Sequence, residues 1–345
     1  MLDIKSLSVD ELKNALKEIG EKPFRAAQLY DWMHNKRVGS ITEMSNISKE
    51  LKQKLQQQFS FVSLKLLLEQ VSKEDDTKKF LFELPDGNTV ETVWMKYKHG
   101  NSVCISSQVG CRMGCKFCAS TLGGLVRSLQ AGEMLEQIYE VMRITGERVD
   151  NIVVMGIGEP FDNYDNLLRF IRRLTEEGGY HLSARSITVS TCGIVENIKR
   201  FAAEGLPITL ALSLHATTDE KRKEIMPIAF KYSLAQLEEA MGYYFEQTGR
   251  RITLEYALIG GVNDTEEEAN QLASIAYKLH AHVNLIPVNP VKERGFTQPE
   301  KERILAFQSR LKKKGAKATI RREMGRDIDG ACGQLRRKQA IEGVL

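Results

Sequence analysis

Three cysteines with short spacings are the residues of this chain best suited to chemistry. Cys111, Cys115 and Cys118 lie in the run Cys-Arg-Met-Gly-Cys-Lys-Phe-Cys, separated by three and then two residues. Thiolates at these spacings can ligate three irons of a cubane [4Fe–4S] cluster, and the fourth iron then stays open to a small molecule. A molecule that chelates the open iron can be reduced in place.

A structural zinc site is the alternative for the same triplet. Zinc held by three cysteines is completed by a further His or Cys. The remaining cysteines, Cys104, Cys192 and Cys332, are scattered, and none belongs to a Cys-x₂-Cys pair. The triplet also follows a strand-like run at 103–107, which places it at the carboxyl end of a strand, where α/β barrels carry their chemistry. Both features favour the cluster.

Length, charge and cysteine usage restrict the class of protein. The chain has 345 residues, six cysteines and a net charge of +4. This length suffices for a large core and a smaller second domain, and the charge is compatible with an anionic partner without identifying one. Few cysteines, no apolar leader and no run of about 18 apolar residues predict a cytoplasmic protein outside the membrane. No feature indicates a large interface between copies, so we expect a monomer.

Alternating strand and helix patterns predict an α/β fold beyond residue 101. Six strands separated by helices predict a parallel sheet curved into a partial (β/α)6 barrel, with a flat doubly wound sheet as the alternative. The strand candidates are 103–107, 151–156, 186–190, 208–215, 252–259 and 283–288.

The chain divides into four predicted segments. Residues 1–75 form a small helical domain, and 76–100 form a β-hairpin extension closed at Pro85-Asp86-Gly87. Residues 101–315 form the partial barrel. Residues 316–345 contain a last strand and a glycine-rich loop with Cys332.

Polar residues at the predicted strand ends suggest a pocket beside the cysteines. Glu159 ends the run Met-Gly-Ile-Gly-Glu-Pro and can accept hydrogen bonds from an ammonium or ribose hydroxyls, although a plain βα turn is the alternative. Other strand ends carry Ser190, His215 and Asn289. Because carboxyl ends of parallel strands meet at one edge, these residues predict a site for a polar ligand.

Two further residues allow two interpretations each. Glu91 lies in an apolar, β-branched strand of the hairpin, where alternation favours a surface carboxylate. Cys332 lies between small residues, either as an incidental free thiol or as a nucleophile that a flexible loop brings into a pocket.

Together these motifs resemble the radical S-adenosylmethionine superfamily and, within it, the dual-specificity 23S rRNA/tRNA adenine-C2 methyltransferases. The resemblance covers essentially the whole chain, including the helical domain, which it makes an accessory RNA-binding domain. The matching runs are 106–111, 118–121, 155–160, 213–215, 284–290 and 331–334.

The resemblance implies one [4Fe–4S] cluster per chain, held by Cys111, Cys115 and Cys118, with S-adenosylmethionine on the open iron. Two molecules of S-adenosylmethionine are used per turnover. An electron donor such as flavodoxin reduces the cluster, and 23S rRNA and tRNA are the substrates. The implied S-adenosylmethionine contacts are Gly158, Glu159, Ser190, Ser213, Leu214, His215 and Asn289.

The resemblance also implies roles for three distant residues. Cys332 is methylated first, and its activated methyl carbon then adds to adenine C2 and forms a covalent protein–RNA adduct. Glu91 accepts the C2 proton, and this role replaces the interpretation of Glu91 as a surface carboxylate. Cys104 assists release of the RNA product by forming a disulfide with Cys332. Cys192 departs from the residue expected after Ser-Thr, and we expect it to be inert.

Two alternatives remain at this point. Related enzymes methylate adenine at C8 and share the three-cysteine motif, the base and the methyl-carrying cysteine. Pro160 and the residues at 119–124 are read as features of the C2 type. The other alternative is a zinc-stabilised RNA-binding protein without catalysis.

Overall fold

The computed structural model describes residues 1–291, 293–328 and 333–341, and its N-terminal part is a helical domain. The helices are α1 (Val9–Glu18), α2 (Arg25–Tyr30) and α3 (Lys49–Gln58). The Ser8 and Ser48 side chains cap α1 and α3 by accepting backbone N–H groups of the first turn. The apolar faces of these helices form a core of their own.

An antiparallel meander follows the helical domain. It consists of β1 (Lys65–Val71), β2 (Lys78–Glu83) and β3 (Thr89–Tyr97). The predicted hairpin is confirmed as β2 and β3, and Gly87 in its turn has a φ of +79°. The prediction of helices to residue 75 is wrong at 65–71, because pairing with the edge of β2 makes this segment a strand.

The remainder of the chain alternates between strands and helices. The strands are β4 (Gly100–Cys104), β5 (Gln108–Gly110), β6 (Leu125–Ser128), β7 (Asn151–Val154), β8 (Ile187–Thr191), β9 (Thr209–Ser213), β10 (Thr253–Leu258), β11 (His282–Pro287) and β12 (Lys317–Ile320). The helices are α4 (Ala131–Thr145), α5 (Tyr164–Thr175), α6 (Val195–Ala203), α7 (Asp219–Ile225), α8 (Leu234–Thr248), α9 (Glu266–Lys278), α10 (Lys301–Lys313) and α11 (Gln334–Ile341). None of the helices that the structure describes has the length and apolar character to cross a bilayer.

The main sheet has ten strands in the order β1-β2-β3-β4-β7-β8-β9-β10-β11-β12. All neighbours from β4 onward are parallel and follow each other in chain order. A doubly wound sheet reverses direction at its centre, whereas right-handed crossovers in one direction place all helices on one face. The predicted (β/α)6 arrangement is therefore confirmed, with β12 as an additional parallel strand, and the doubly wound alternative is wrong.

The two faces of this sheet differ in chemistry. Side chains such as Val103, Val189 and Leu254 belong to the main apolar core. Residues paired across neighbouring strands share a face, and pairing places Ser213 beside Glu255 on the other side. The helix-covered face is thus apolar, and the opposite face carries polar groups.

The helical domain contacts α4 through buried polar groups. Lys5 forms a fully buried ion pair with Glu136, and its ammonium also donates to the Val62 carbonyl oxygen at 2.6 Å. Asp3 accepts the Val62 N–H at 3.1 Å, and its second oxygen has no partner among the described residues. Burial raises the pKa of Asp3 to about 7, against the opposing effect of Lys5.

This burial makes the stability of the domain contact depend on pH. The pKa of Asp3 lies above its ordinary value of 3.8. Its contribution to the free energy of unfolding is therefore complete below pH 3.8 and is lost as the pH rises through 7. We expect the unfolding free energy of Asp3→Asn, relative to that of the wild type, to be higher at pH 8.5 than at pH 5 by roughly 1–3 kcal/mol. Denaturant unfolding at both pH values measures the difference. Asp10→Asn, at an exposed acid of α1, is the control, and an equal effect of Asp3→Asn at both pH values contradicts the prediction.

Candidate active site

The three predicted metal-ligating cysteines lie on one loop between β5 and β6. The loop begins at Gly110, whose φ is +78° and where a Cβ atom would lie 2.0 Å from the Gly124 carbonyl oxygen. The same oxygen accepts the Cys111 N–H at 2.9 Å. The Thr121 hydroxyl donates to the carbonyl oxygens of the second and third cysteines, at 3.1 and 3.0 Å. The loop is therefore compact and requires glycine at its start.

The cysteine thiols are shielded from solvent. Cys111 and Cys115 are buried and Cys118 is half-buried. Burial raises the pKa of Cys111 to about 12 and raises the pKa of Cys115 further, and the neighbouring thiols act in the same direction. Metal ligation requires loss of these protons. Buried sulfur donors on one short loop fit the ligand set of an iron–sulfur cluster.

The zinc alternative gains no support from the side-chain geometry. In residues 1–291, 293–328 and 333–341, no three His, Cys, Asp or Glu side chains converge on a site for a single metal ion. Zinc gathers its four ligands around one ion, whereas a cubane distributes its thiolates over different irons.

Two glycines after β7 allow the chain to approach the segment that precedes the cysteine loop. A Cβ atom on Gly156 would lie 2.6 Å from the Ile105 carbonyl oxygen. Gly158 has a φ of +109°, and a Cβ atom there would lie 2.6 Å from the Cβ of Gln108. Both positions therefore require glycine, and this contact holds the ends of β4 and β7 together.

Glu159 follows these glycines and is buried. One carboxylate oxygen accepts the Phe161 N–H at 3.0 Å, and the other accepts the Cys192 N–H at 2.8 Å. Burial raises the pKa of Glu159 despite these hydrogen bonds. Since each carboxylate oxygen has a second acceptor position, Glu159 can join the ends of β7 and β8 and still accept a hydrogen bond from a ligand.

The ends of β8 and β9 bring further predicted residues together. The hydroxyl oxygens of Ser190 and Ser213 are 3.3 Å apart. Leu214 is buried, and His215 has a φ of +57°, which is rare outside glycine. The Ala257 N–H donates to Nδ1 of His215 at 2.8 Å, and burial lowers the pKa of this histidine to about 3. The imidazole is therefore neutral and fixed in orientation.

Two residues of the polar face were not predicted as site residues. Glu255 on β10 and Asn284 on β11 occupy paired positions, and the Asn284 amide donates to the Glu255 carboxylate at 2.8 Å. Their sequence signal was a polar side chain within an otherwise apolar strand. The predicted residue Asn289 follows β11 and is exposed.

Glu91 is buried, with 3% of its surface exposed, so the surface position that alternation favours is wrong. One carboxylate oxygen lies 2.9 Å from Nζ of Lys79 and accepts the Gly333 N–H at 2.7 Å. The other accepts the Arg336 N–H at 2.7 Å. Glu91 is buried because the C-terminal segment covers this face of the meander. Lys79 was not predicted as a site residue. Its sequence signal was a lysine next to Phe80 within a predicted strand.

Cys104 ends β4 and is also buried. It pairs with Val93 of β3, two residues from Glu91, so Cys104 and Glu91 share one face. Cys332 lies outside the described residues. No disulfide joins two of the five described cysteines, and the Cys104–Cys332 disulfide implied by the resemblance stays a prediction.

The described part of the tail lies beside the cysteine loop. Gly333 has a φ of +78°, and a Cβ atom there would lie 2.8 Å from the Ser120 Oγ, two residues beyond Cys118. Gly333 follows Cys332 in the chain and also donates to Glu91. One backbone position therefore contacts both the carboxylate and the loop.

Cys192 occupies an apolar position. It packs in one cluster with Cys115, Ile225 and Met226. Burial raises its pKa well above the ordinary value. The thiol is therefore protonated, and its inertness stays a prediction.

A one-directional parallel β/α sheet with a three-cysteine loop beyond its first parallel strand defines the class of radical S-adenosylmethionine enzymes. Residues 105–273 match the model of the radical SAM superfamily. The structure is similar to the crystal structure of a radical SAM methyltransferase from Sphaerobacter thermophilus, with a TM-score of 0.92 and 40% identity over 97% of this chain and 99% of that chain.

Within this class, the chain belongs to the RlmN family of RNA methyltransferases. Residues 2–61 match the ribosomal RNA large subunit methyltransferase N-terminal domain. The chain is 58% identical to the "Probable dual-specificity RNA methyltransferase RlmN" of Lachnospira eligens, over 98% of this chain and 97% of the relative. Identity to the protein of the same name from Geobacillus thermodenitrificans is 54%, over 98% and 94%. Membership of the superfamily implies S-adenosylmethionine and a [4Fe–4S] cluster as cofactors.

Proposed function

We propose that this enzyme methylates adenine at C2 in 23S rRNA and in tRNA. Family membership supports an RNA substrate, since the relatives carry the name of dual-specificity RNA methyltransferases. The contact that carries the proposal joins three elements: the buried Glu91 carboxylate, the backbone of Gly333 and the cysteine loop. The Glu91 carboxylate, the proposed proton acceptor, accepts the N–H of the residue that follows Cys332 in sequence.

The cofactors are assigned to the residues described above. Cys111, Cys115 and Cys118 would hold the cluster, and Gly158, Glu159, Ser190, Ser213, Leu214, His215 and Asn289 would surround S-adenosylmethionine. When bound, these cofactors supply the methyl group and the radical that activates it, with two S-adenosylmethionine molecules used per turnover. A one-electron donor such as flavodoxin is the proposed reductant.

The protein residues carry the methyl group and the proton. Adenine C2 is electron-poor and has no lone pair, so it cannot attack a sulfonium methyl group directly. In the proposal, Cys332 carries the methyl carbon and becomes bonded to C2 through it. Glu91 accepts the C2 proton, and Cys104, on the same face, assists cleavage of the carbon–sulfur bond. The target adenine must leave its stack to reach these groups.

Methylation at C8 is the second candidate, because those enzymes share the base and the carrier cysteine. The proposal is tested by nucleoside chromatography with mass spectrometry on rRNA and tRNA from cells with and without the gene. We expect 2-methyladenosine in both RNA classes, dependent on the gene. 8-Methyladenosine in its place, or no gene-dependent nucleoside, would contradict the assignment.

A further inference from the structure

Arg222 is a buried cation beside the cysteine loop to which the proposed reaction gives no role. It lies on α7 and is fully buried. Its Nε donates to the Leu214 carbonyl oxygen at 3.1 Å, and Nη2 donates to the Cys192 and Ser213 carbonyl oxygens at 2.7 and 3.3 Å. Three backbone groups at the ends of β8 and β9 therefore hold the guanidinium in place.

The positive charge lacks a matching anion. Nη1 has no hydrogen-bond partner among the described residues, and no carboxylate in that part of the chain forms an ion pair with Arg222. Burial of an uncompensated charge is strongly unfavourable, which lowers the pKa of this arginine. The guanidinium donates to the backbone of Cys192, and the Cys192 side chain packs in one cluster with Cys115. Cys192 therefore connects the buried cation to Cys115 of the cysteine loop.

The cysteine loop is anchored to the same helix. The Lys116 N–H donates to the Ile225 carbonyl oxygen at 2.9 Å. Cys115 packs in one cluster with Ile225 and Met226, which follow Arg222 by three and four residues, about one helical turn. The backbone of the cysteine loop is therefore bonded to the helix that carries Arg222.

We propose that Arg222 supplies the counter-charge of the iron–sulfur cluster and raises its reduction potential. A cluster with thiolate ligands gains one negative charge on one-electron reduction, and a nearby buried cation stabilises the reduced form. Arg222 is thus a positioning and electrostatic residue that acts through the cluster. The inference rests on the proposed ligation by Cys111, Cys115 and Cys118.

Two substitutions separate the charge from the backbone contacts. Arg222→Met removes both, whereas Arg222→Lys retains a cation and loses the three-carbonyl clamp. Arg173→Met serves as the control, because Arg173 is another largely buried arginine, which belongs to α5 and pairs with Glu176 at 3.0 Å. All proteins are full-length and reconstituted with iron and sulfide under anaerobic conditions. Iron content and the midpoint potential, from redox titration followed by electron paramagnetic resonance, are measured.

We expect Arg222→Met to lower the equilibrium constant for reduction about tenfold, or about 59 mV for one electron. Arg222→Lys and Arg173→Met should stay within about twofold of the wild type. Loss of the cluster from Arg222→Met alone, with a near-normal potential in Arg222→Lys, also supports the proposal. An unchanged potential in Arg222→Met, an equal fall in both Arg222 variants, or cluster loss from both overturns it. A wild-type protein that assembles no cluster refutes the proposed function instead.

Discussion

Replacing Cys332 with alanine is expected to abolish RNA methylation while the protein still assembles its cluster. Cys332 is the proposed carrier of the methyl carbon, and an alanine side chain offers no atom to carry it. We expect the rate of methyl transfer to fall by roughly three orders of magnitude or more. The three proposed cluster ligands lie on a loop between β5 and β6, more than 200 residues earlier in the chain. Iron content and visible absorption should therefore match the wild type.

The measurement is transfer of a labelled methyl group to RNA, with the product identified by nucleoside chromatography. Cys192→Ala is the matched control, because it also removes a single thiol, one that is buried and packed in an apolar cluster. It should retain methylation. Normal product from Cys332→Ala would exclude a cysteine-carried methyl group and with it the adduct.

Glu91→Gln is expected to trap RNA covalently on the protein. In the proposal the adduct forms before the C2 proton is removed, so loss of the proton acceptor stops the reaction at that stage. Removal of a general base typically lowers turnover by about 10²–10⁴-fold. A protein–RNA band on a denaturing gel, sensitive to nuclease, reports the adduct. The double variant Glu91→Gln/Cys332→Ala should show no band.

Folding must be separated from catalysis in this variant. Glutamine cannot accept both the Gly333 and Arg336 N–H groups, and it removes the ion pair between Glu91 and the buried Lys79 ammonium. Lys79→Met/Glu91→Gln removes the cation as well, so we expect it to regain stability and still accumulate adduct. Glu83→Gln, at a partly exposed acid on neighbouring β2, is the control for a lost carboxylate. Wild-type turnover by Glu91→Gln would remove Glu91 from the mechanism.

The sequence alone determined the features that depend on residues close together in the chain. The spacing of Cys111, Cys115 and Cys118 was sufficient to predict an iron–sulfur ligand set, because one short loop carries all three thiols. The alternation of strands and helices was sufficient to predict a parallel sheet. The glycines at 156 and 158 marked a βα turn. The positions of Ser190 and Ser213 at strand ends were sufficient to predict that they meet at the carboxyl edge of the sheet.

The tertiary structure decided the features that depend on register and on distant segments. Alternation along β3 favoured an exposed Glu91, and only the packing of Gly333 and Arg336 against it produces burial. The pairing register of β3 and β4 places Cys104 on the same face. The sequence analysis did not single out Arg222, and only the structure shows its contacts with three strand-end carbonyl groups. Local patterns identify groups capable of chemistry, whereas burial and pairing between segments far apart in sequence decide which of these groups meet.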